Sequence, residues 1–146
     1  MKVLHLPMPV GGNAWGLAQG EKYLGLDSEV LVLVDNWLNY PADRVIMKYY
    51  PDSILHKAVG FAKVIAEINR IRNKYDVFHF NFGTSLLDLW QYGFPPLMDL
   101  PLYKGKIVVT YNGCDARQKY PTIERVGFSA CHNENCYGGL CLDGKR

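Results

Sequence analysis

Short apolar runs recur along the first 113 residues: "KVLHLPM" at 2–8, "SEVLVLVD" at 28–35, "DVFHFNF" at 76–82 and "GKIVVTYNG" at 105–113. They are rich in Val, Leu, Ile and Phe on both alternating faces, which suits strands of a parallel sheet covered on both sides. Parallel neighbours need a long crossover between them, and helix-like segments stand in the gaps. "AWGLAQGEKYLGL" (14–26) reads as a helix with Leu17, Ala18 and Leu24 facing inward, weakened by Gly16 and Gly20. "SILHKAVGFAKVIAEINRIRNKY" (53–75) is the clearest helix. Ser53 suits its N-cap, and Leu55, Val59, Ala62, Ile65, Ile68 and Arg72 repeat every three to four residues. Residues 36–51 read as a loop with a short strand near Val45, and "GTSLLDLWQYG" (83–93) opens another helix-like segment.

This alternation predicts an α/β fold, a Rossmann-like doubly wound parallel sheet with helices on both faces, over residues 1–125. Periodicity fades in the Cys-rich loop segment 126–146. Ligands of such sheets bind beyond the carboxyl ends of the strands. The residues to watch are therefore 9–13, 35–37, 79–84 and 111–117.

Composition removes several alternatives. The chain has 146 residues, enough for a domain with its own core, and 49% hydrophobic against 21% charged residues is a globular balance. A net charge of +2, with scattered basic residues, does not build a nucleic-acid surface. No stretch approaches the roughly 18 apolar residues of a membrane span. The first apolar run is broken by His5, Pro7 and Pro9, unlike a signal peptide. A cytoplasmic location is expected, and with it four cysteines that do not form a disulfide framework.

"MPVGGNAWG" lies between the first strand and the first helix. Gly11 and Gly12 would let a phosphate or sugar approach the backbone, the helix N-terminus would favour an anion, and Asn13 could cap the helix. The same residues also suit a plain tight turn. The dinucleotide fingerprint G-x-G-x-x-G is absent: Gly11, Gly12 and Gly16 read G-G-x-x-x-G, which leaves Asp35 at the end of the second strand as a solvated acid. A phosphate-loop motif is absent too.

"MKVLHLPMPVGGNAWGLAQGEKYLGLDSEVLVL" resembles the opening of family-4-type glycosyltransferases of the GT-B fold. "YDVFHFNFG" is similar to their D-V-V-H-x-H strand, and "KIVVTYNGCDAR" to their T-x-H-G-x-D-x-R strand end. The resemblance spans about residues 1–117. It implies the N-terminal, acceptor-side domain of an enzyme that moves a sugar from a nucleotide-sugar donor to a glycan or lipid-linked acceptor. That setting leaves room for peripheral membrane association. It also implies a donor-facing loop of Gly11, Gly12 and Asn13. The acceptor side would be lined by Trp15, His79, Asn81, Asn112, Asp115 and Arg117. Asn81 and Asn112 stand where the pattern often has His, and an Asn cannot serve as a general base. No catalytic residue is assigned. The family's donor-binding domain lies outside this sequence, so the chain is expected to be inactive alone, a fragment or one half of a two-chain enzyme.

The segment "CHNENCYGGLC" spaces Cys131, Cys136 and Cys141 as C-x4-C-x4-C, with His132 alongside and Cys114 upstream. One structural zinc on Cys114, Cys131, Cys136 and Cys141, with His132 as an alternative ligand, would organise a loop poor in apolar residues. Unmetallated thiols, a disulfide or an iron–sulfur cluster are the competing readings. Two further functions stand beside sugar transfer: a non-catalytic, metal-stabilised binding module, and a small flavodoxin-like nucleotide binder.

Overall fold

The computed structural model describes residues 1–35, 38–49, 53–88, 95, 97–113 and 119–133. The chain divides into two compact units, Met1–Thr110 and Tyr111–Arg146. The first is an α/β unit with a five-stranded, all-parallel sheet, consistent with a Rossmann-like fold. Its strands are β1 (Lys2–Leu6), β2 (Asp27–Val34), β3 (Arg44–Met47), β4 (Val77–Asn81) and β5 (Lys106–Thr110), and their order is β3-β2-β1-β4-β5. The short strand expected near Val45 is β3.

Helix α1 (Asn13–Tyr23) lies on one face of the sheet and α2 (Ile54–Ile71) on the other. Under α2, Leu4 and Leu6 of β1, Leu31 of β2 and Phe78 and Phe80 of β4 pack against Val64, Ile68 and Ile71, with Leu86 and Tyr103 closing the cluster. Under α1, Ala14 and Ala18 sit directly on Val30 and Val32 of β2. Ser53 caps α2 as expected, its hydroxyl accepting from the His56 N–H at 3.2 Å.

Three expectations of burial are corrected. Leu17 and Leu24 are exposed; the stripe of α1 that meets the sheet is Ala14, Ala18 and then Glu21, where small side chains allow close approach. On α2 the buried stripe is Gly60, Val64, Ile68 and Ile71, while Leu55 and Val59 face outward. That helix is about 27 Å long against about 17 Å for a five-residue strand, so its first turns overhang the carboxyl edge of the sheet. β5 is an edge strand with Val108 45% exposed, so it is not the buried strand its composition suggests. Residues 83–88 form turns in place of the expected helix.

In the second unit, α3 (Lys119–Arg125) and a short 3-10 turn (Ala130–His132) are described. Among the described residues, no helix is long and apolar enough to cross a membrane.

Gly105 enters β5 by passing close to the start of β4. A Cβ there would lie 2.6 Å from the Tyr75 carbonyl oxygen and 2.8 Å from that of Asp76, both backbone atoms, the second held by the Lys106 N–H. A Cβ at Gly16 on α1 meets nothing within 4 Å. Gly105→Ala is expected to lose about 1–3 kcal/mol of stability to overpacking. Gly16→Ala should gain up to about 1 kcal/mol from helix propensity. Urea midpoints of the two variants check both signs.

Candidate functional site

From β1 the chain steps outward to β2 and β3, then returns to place β4 on the other side of β1. The order reverses between β1 and β4, and it is beyond the carboxyl ends of such a pair that sheets of this kind bind ligands. The loops leaving these strands, 7–12 and 82–88, are the ones placed to hold a ligand.

Gly11 (φ 63°) and Gly12 (φ 71°) are both left-handed, and Asn13 follows in right-handed helical geometry. Within this turn the Gly12 N–H donates to the Pro9 carbonyl at 2.9 Å and the Asn13 N–H to that of Val10. Gly12 itself is the N-cap of α1, and no side chain among the described residues caps the helix. The expected capping by Asn13 is thus corrected: the residue is already helical (φ −58°, ψ −45°), and its amide folds back toward Gly11. The Tyr40 ring lies 3.6 Å from where a Gly12 Cβ would be. Trp15 packs half-buried against the small cluster under α1, with the Lys22 ammonium 5.4 Å from its ring centroid.

Beneath α1 a chain of side-chain hydrogen bonds crosses the sheet. His5 and His79 are register partners on β1 and β4, both buried, with their Nδ1 atoms 2.7 Å apart. The far nitrogen of His5, Nε2, lies 2.9 Å from Oε2 of Glu21 on α1, and Nε2 of His79 lies 2.9 Å from Oγ1 of Thr110 on β5. The run Glu21–His5–His79–Thr110 therefore leads from a carboxylate 26% exposed to the carboxyl end of β5. Burial, then the charge of His5, hold the pKa of His79 below the usual 6.5, with Glu21 pulling the other way. For Glu21, burial works upward, but the His5 hydrogen bond leads the opposing effects and brings its pKa below the usual 4.5. The Ser28 hydroxyl makes no hydrogen bond of regular geometry, yet its proximity adds to that lowering.

The exit of β4 carries the other unusual features. Asn81 is 2% exposed, and neither polar atom of its amide has a hydrogen-bond partner among the described residues. The same holds for Oγ of Ser85 and Oδ1 of Asp88. Each such atom costs about 1–3 kcal/mol when left unpaired. Phe82, between them, is left-handed (φ 66°), an uncommon conformation for a bulky residue and one that concentrates at functional sites. Asn81 stands opposite Thr110 in the β4–β5 register.

The structure thus brings His79 and Asn81 together with His5, Glu21 and Thr110, which the sequence alone does not single out as site residues. A signal was present, since His5 and His79 each interrupt an apolar strand at its middle. Asn112 belongs to the second unit, as do Cys131, half-buried, and His132, whose Nδ1 lies 3.1 Å from Oγ of Ser129. Cys114, Asp115, Arg117, Cys136 and Cys141 lie outside the described residues. At the opposite, amino edge, an open cleft of about 240 Å³ is lined by Lys2, Asp27, Glu29, Arg44, Arg70 and Tyr75 among others. Its charges are largely paired: Arg44 bonds Glu67 (2.6 Å) and the Tyr75 hydroxyl (2.8 Å), and that hydroxyl donates to Glu29 (2.8 Å). No family model, curated protein or solved structure matches the chain.

Two measurements probe this site. Asn81→Leu removes the unpartnered amide and keeps its branching at a larger volume; the relief of the amide is expected to outweigh the tighter packing and raise stability by about 1 kcal/mol. A loss of stability would show that the amide is paired in solution. The depressed pKa of His79 means that the unfolded chain binds more protons than the fold below pH 6.5. The stabilisation is full above that value and is lost as pH falls toward the folded pKa. Glu21 adds a second loss, below 4.5. The urea midpoint of the wild type should therefore drop between about pH 7.5 and about pH 5.5, and drop less in His79→Gln.

Proposed function

We propose that Met1–Thr110 is the acceptor-side domain of a glycosyltransferase of the GT-B type, which completes a sugar-transfer site together with a donor-binding domain. The observation that carries the reading is the pair of left-handed glycines, Gly11 and Gly12, at the β1–β4 switch point, leading into a helix N-terminus without a side-chain cap among the described residues. Backbone N–H groups at such a terminus attract anions, and glycines let a sugar or diphosphate come close. The three strand-end motifs of the sequence support it by their order, and the unpaired amide of Asn81 supports it by offering both a donor and an acceptor to a hydroxyl-rich ligand.

In this reading the substrates are a nucleotide-sugar and a glycan or lipid-linked acceptor. Departure of the diphosphate needs its charge stabilised. The α1 N-terminus contributes part of that stabilisation, and the donor domain the rest. Asn81 and Thr110 orient an acceptor hydroxyl.

The test is transfer kinetics on the protein purified from its own cell with whatever donor domain accompanies it, using a panel of nucleotide-sugars. Gly12→Val forces a β-branched residue into a left-handed conformation and presses on Tyr40. It should lower kcat/KM by about tenfold or more, equivalent to about 1.4 kcal/mol of lost transition-state binding. Unchanged kinetics would sink the assignment of this loop.

A further inference from the structure

We propose that the buried chain Glu21–His5–His79–Thr110 sets the polarity of a hydrogen-bonding subsite at the carboxyl edge of the sheet. With both imidazoles neutral, Thr110 is held as an acceptor for a ligand hydroxyl; one added proton turns it into a donor.

The argument is a count of protons on fixed atoms. A carboxylate has none to give, so Nε2–H of His5 donates to Glu21. A neutral His5 then has an accepting Nδ1, and the 2.7 Å contact requires Nδ1–H of His79 to donate to it. A neutral His79 is left with an accepting Nε2, so the hydroxyl of Thr110 spends its only proton on His79. What Thr110 offers outward is oxygen lone pairs. These accept from an alcohol and repel a phosphate or carboxylate oxygen, which brings no proton.

Add one proton to the imidazole pair. The space between the two Nδ1 atoms holds a single hydrogen at 2.7 Å, so both outer nitrogens, Nε2 of His5 and Nε2 of His79, must now be protonated. It does not matter which ring carries the charge. Thr110 then accepts from His79, and its own proton turns outward. The groups that bear on this switch are Glu21 from α1, His5 from β1 and His79 itself on β4; β2 contributes the uncharged Ser28 and β5 the uncharged Thr110. Asn81, opposite Thr110 in register and without a partner among the described residues at either polar atom, supplies the second contact. A neutral polyol with adjacent hydroxyls matches the pair at neutral pH. That ligand class agrees with the sugar-transfer reading and rests on it for identity, whereas the proton count does not.

The experiment is long-range proton–nitrogen correlation NMR on the 15N-labelled 146-residue chain, which reports the tautomer of each histidine. At about pH 7.5 the expected result is His5 protonated at Nε2 and His79 protonated at Nδ1, with acid adding one proton to the pair in a single step that protonates Nε2 of His79. His79 protonated at Nε2 at neutral pH would overturn the proposal. Glycerol at molar concentration, the polyol probe, should shift the Nε2 signal of His79, and inorganic sulfate, which carries no proton at this pH, should not. Thr110→Ser should retain the glycerol shift and Thr110→Val should lose it. A shift with sulfate alone, or with neither probe, would overturn the subsite. The stated tautomers in a protein that transfers no sugar would overturn the enzyme reading and leave the polarity standing; the wrong tautomers would do the reverse.

Discussion

The register between β1 and β4 decides both the core and the candidate site. With His5 opposite His79, Leu4, Leu6, Phe78 and Phe80 all fall on the side of α2. A slip of one residue would exchange the faces, sending imidazoles under α2 and phenyl rings under α1. Each large apolar side chain so displaced forfeits about 1.5–3 kcal/mol of burial. Each imidazole nitrogen buried without a partner costs about 1–3 kcal/mol more. Packing on one face and hydrogen bonding on the other therefore enforce the same alignment. The two strands so aligned are the pair between which the sheet order reverses, so the constraint that holds the core also places the histidines at the switch point.

Helix α1 is held to this arrangement by the smallness of its buried residues. Ala14 and Ala18 let the helix lie close on Val30 and Val32, and one turn later Glu21 reaches His5 across the sheet face. A larger residue at position 18 would lift the helix and lengthen a 2.9 Å contact that the whole hydrogen-bonded chain depends on. The other side of the helix is pinned too, since Lys22 contacts Asp43 at 3.2 Å, and the same carboxylate accepts from the Val30 N–H. The position of the α1 N-terminus, and with it the Gly11–Gly12 loop, thus follows from contacts made one to three turns away.

Strand and helix alternation was legible because apolar periodicity is a local property, and every strand foreseen in the described residues is present, β3 included. Which face of each helix is buried was less so. α2 is apolar around much of its circumference; its overhang leaves Leu55 outside, and its rotation turns Gly60, Val64, Ile68 and Ile71 to the sheet and Val59 away. β5 reads as a buried strand by composition and is an edge strand because nothing in its own sequence says what lies beyond it. In the candidate site, Gly11, Gly12, His79 and Asn81 could be singled out from their neighbours in the chain. Glu21 and Thr110 could not, since their meaning comes from partners 16 and 31 residues away. His5 is visible in the sequence, but a histidine in an apolar strand reads as core until its partner is known to be another histidine.

The two edges of the sheet differ in degree. At the amino edge, Arg44, Glu29, Glu67 and Tyr75 answer one another, with hydrogen bonds of 2.6 to 2.8 Å, and burial with the Glu29 contact pushes the Tyr75 phenol well above its usual range, although Nε of Arg44 and the Ser28 hydroxyl have no partner among the described residues. At the carboxyl edge, Asn81, Ser85 and Asp88 keep buried polar atoms without a partner among the described residues, and Phe82 is twisted into left-handed backbone. Left to stability alone, an apolar side chain at 81 and a glycine at 82 would serve better. The penalties at this edge can be borne because the cluster under α2 supplies the cohesion, and Leu86 anchors the 82–88 loop in that cluster. A sheet that concentrates its favourable packing on one face can keep polar atoms unanswered at the edge of the other, and unanswered polar atoms at a switch point are what a hydroxyl-rich ligand needs to find there.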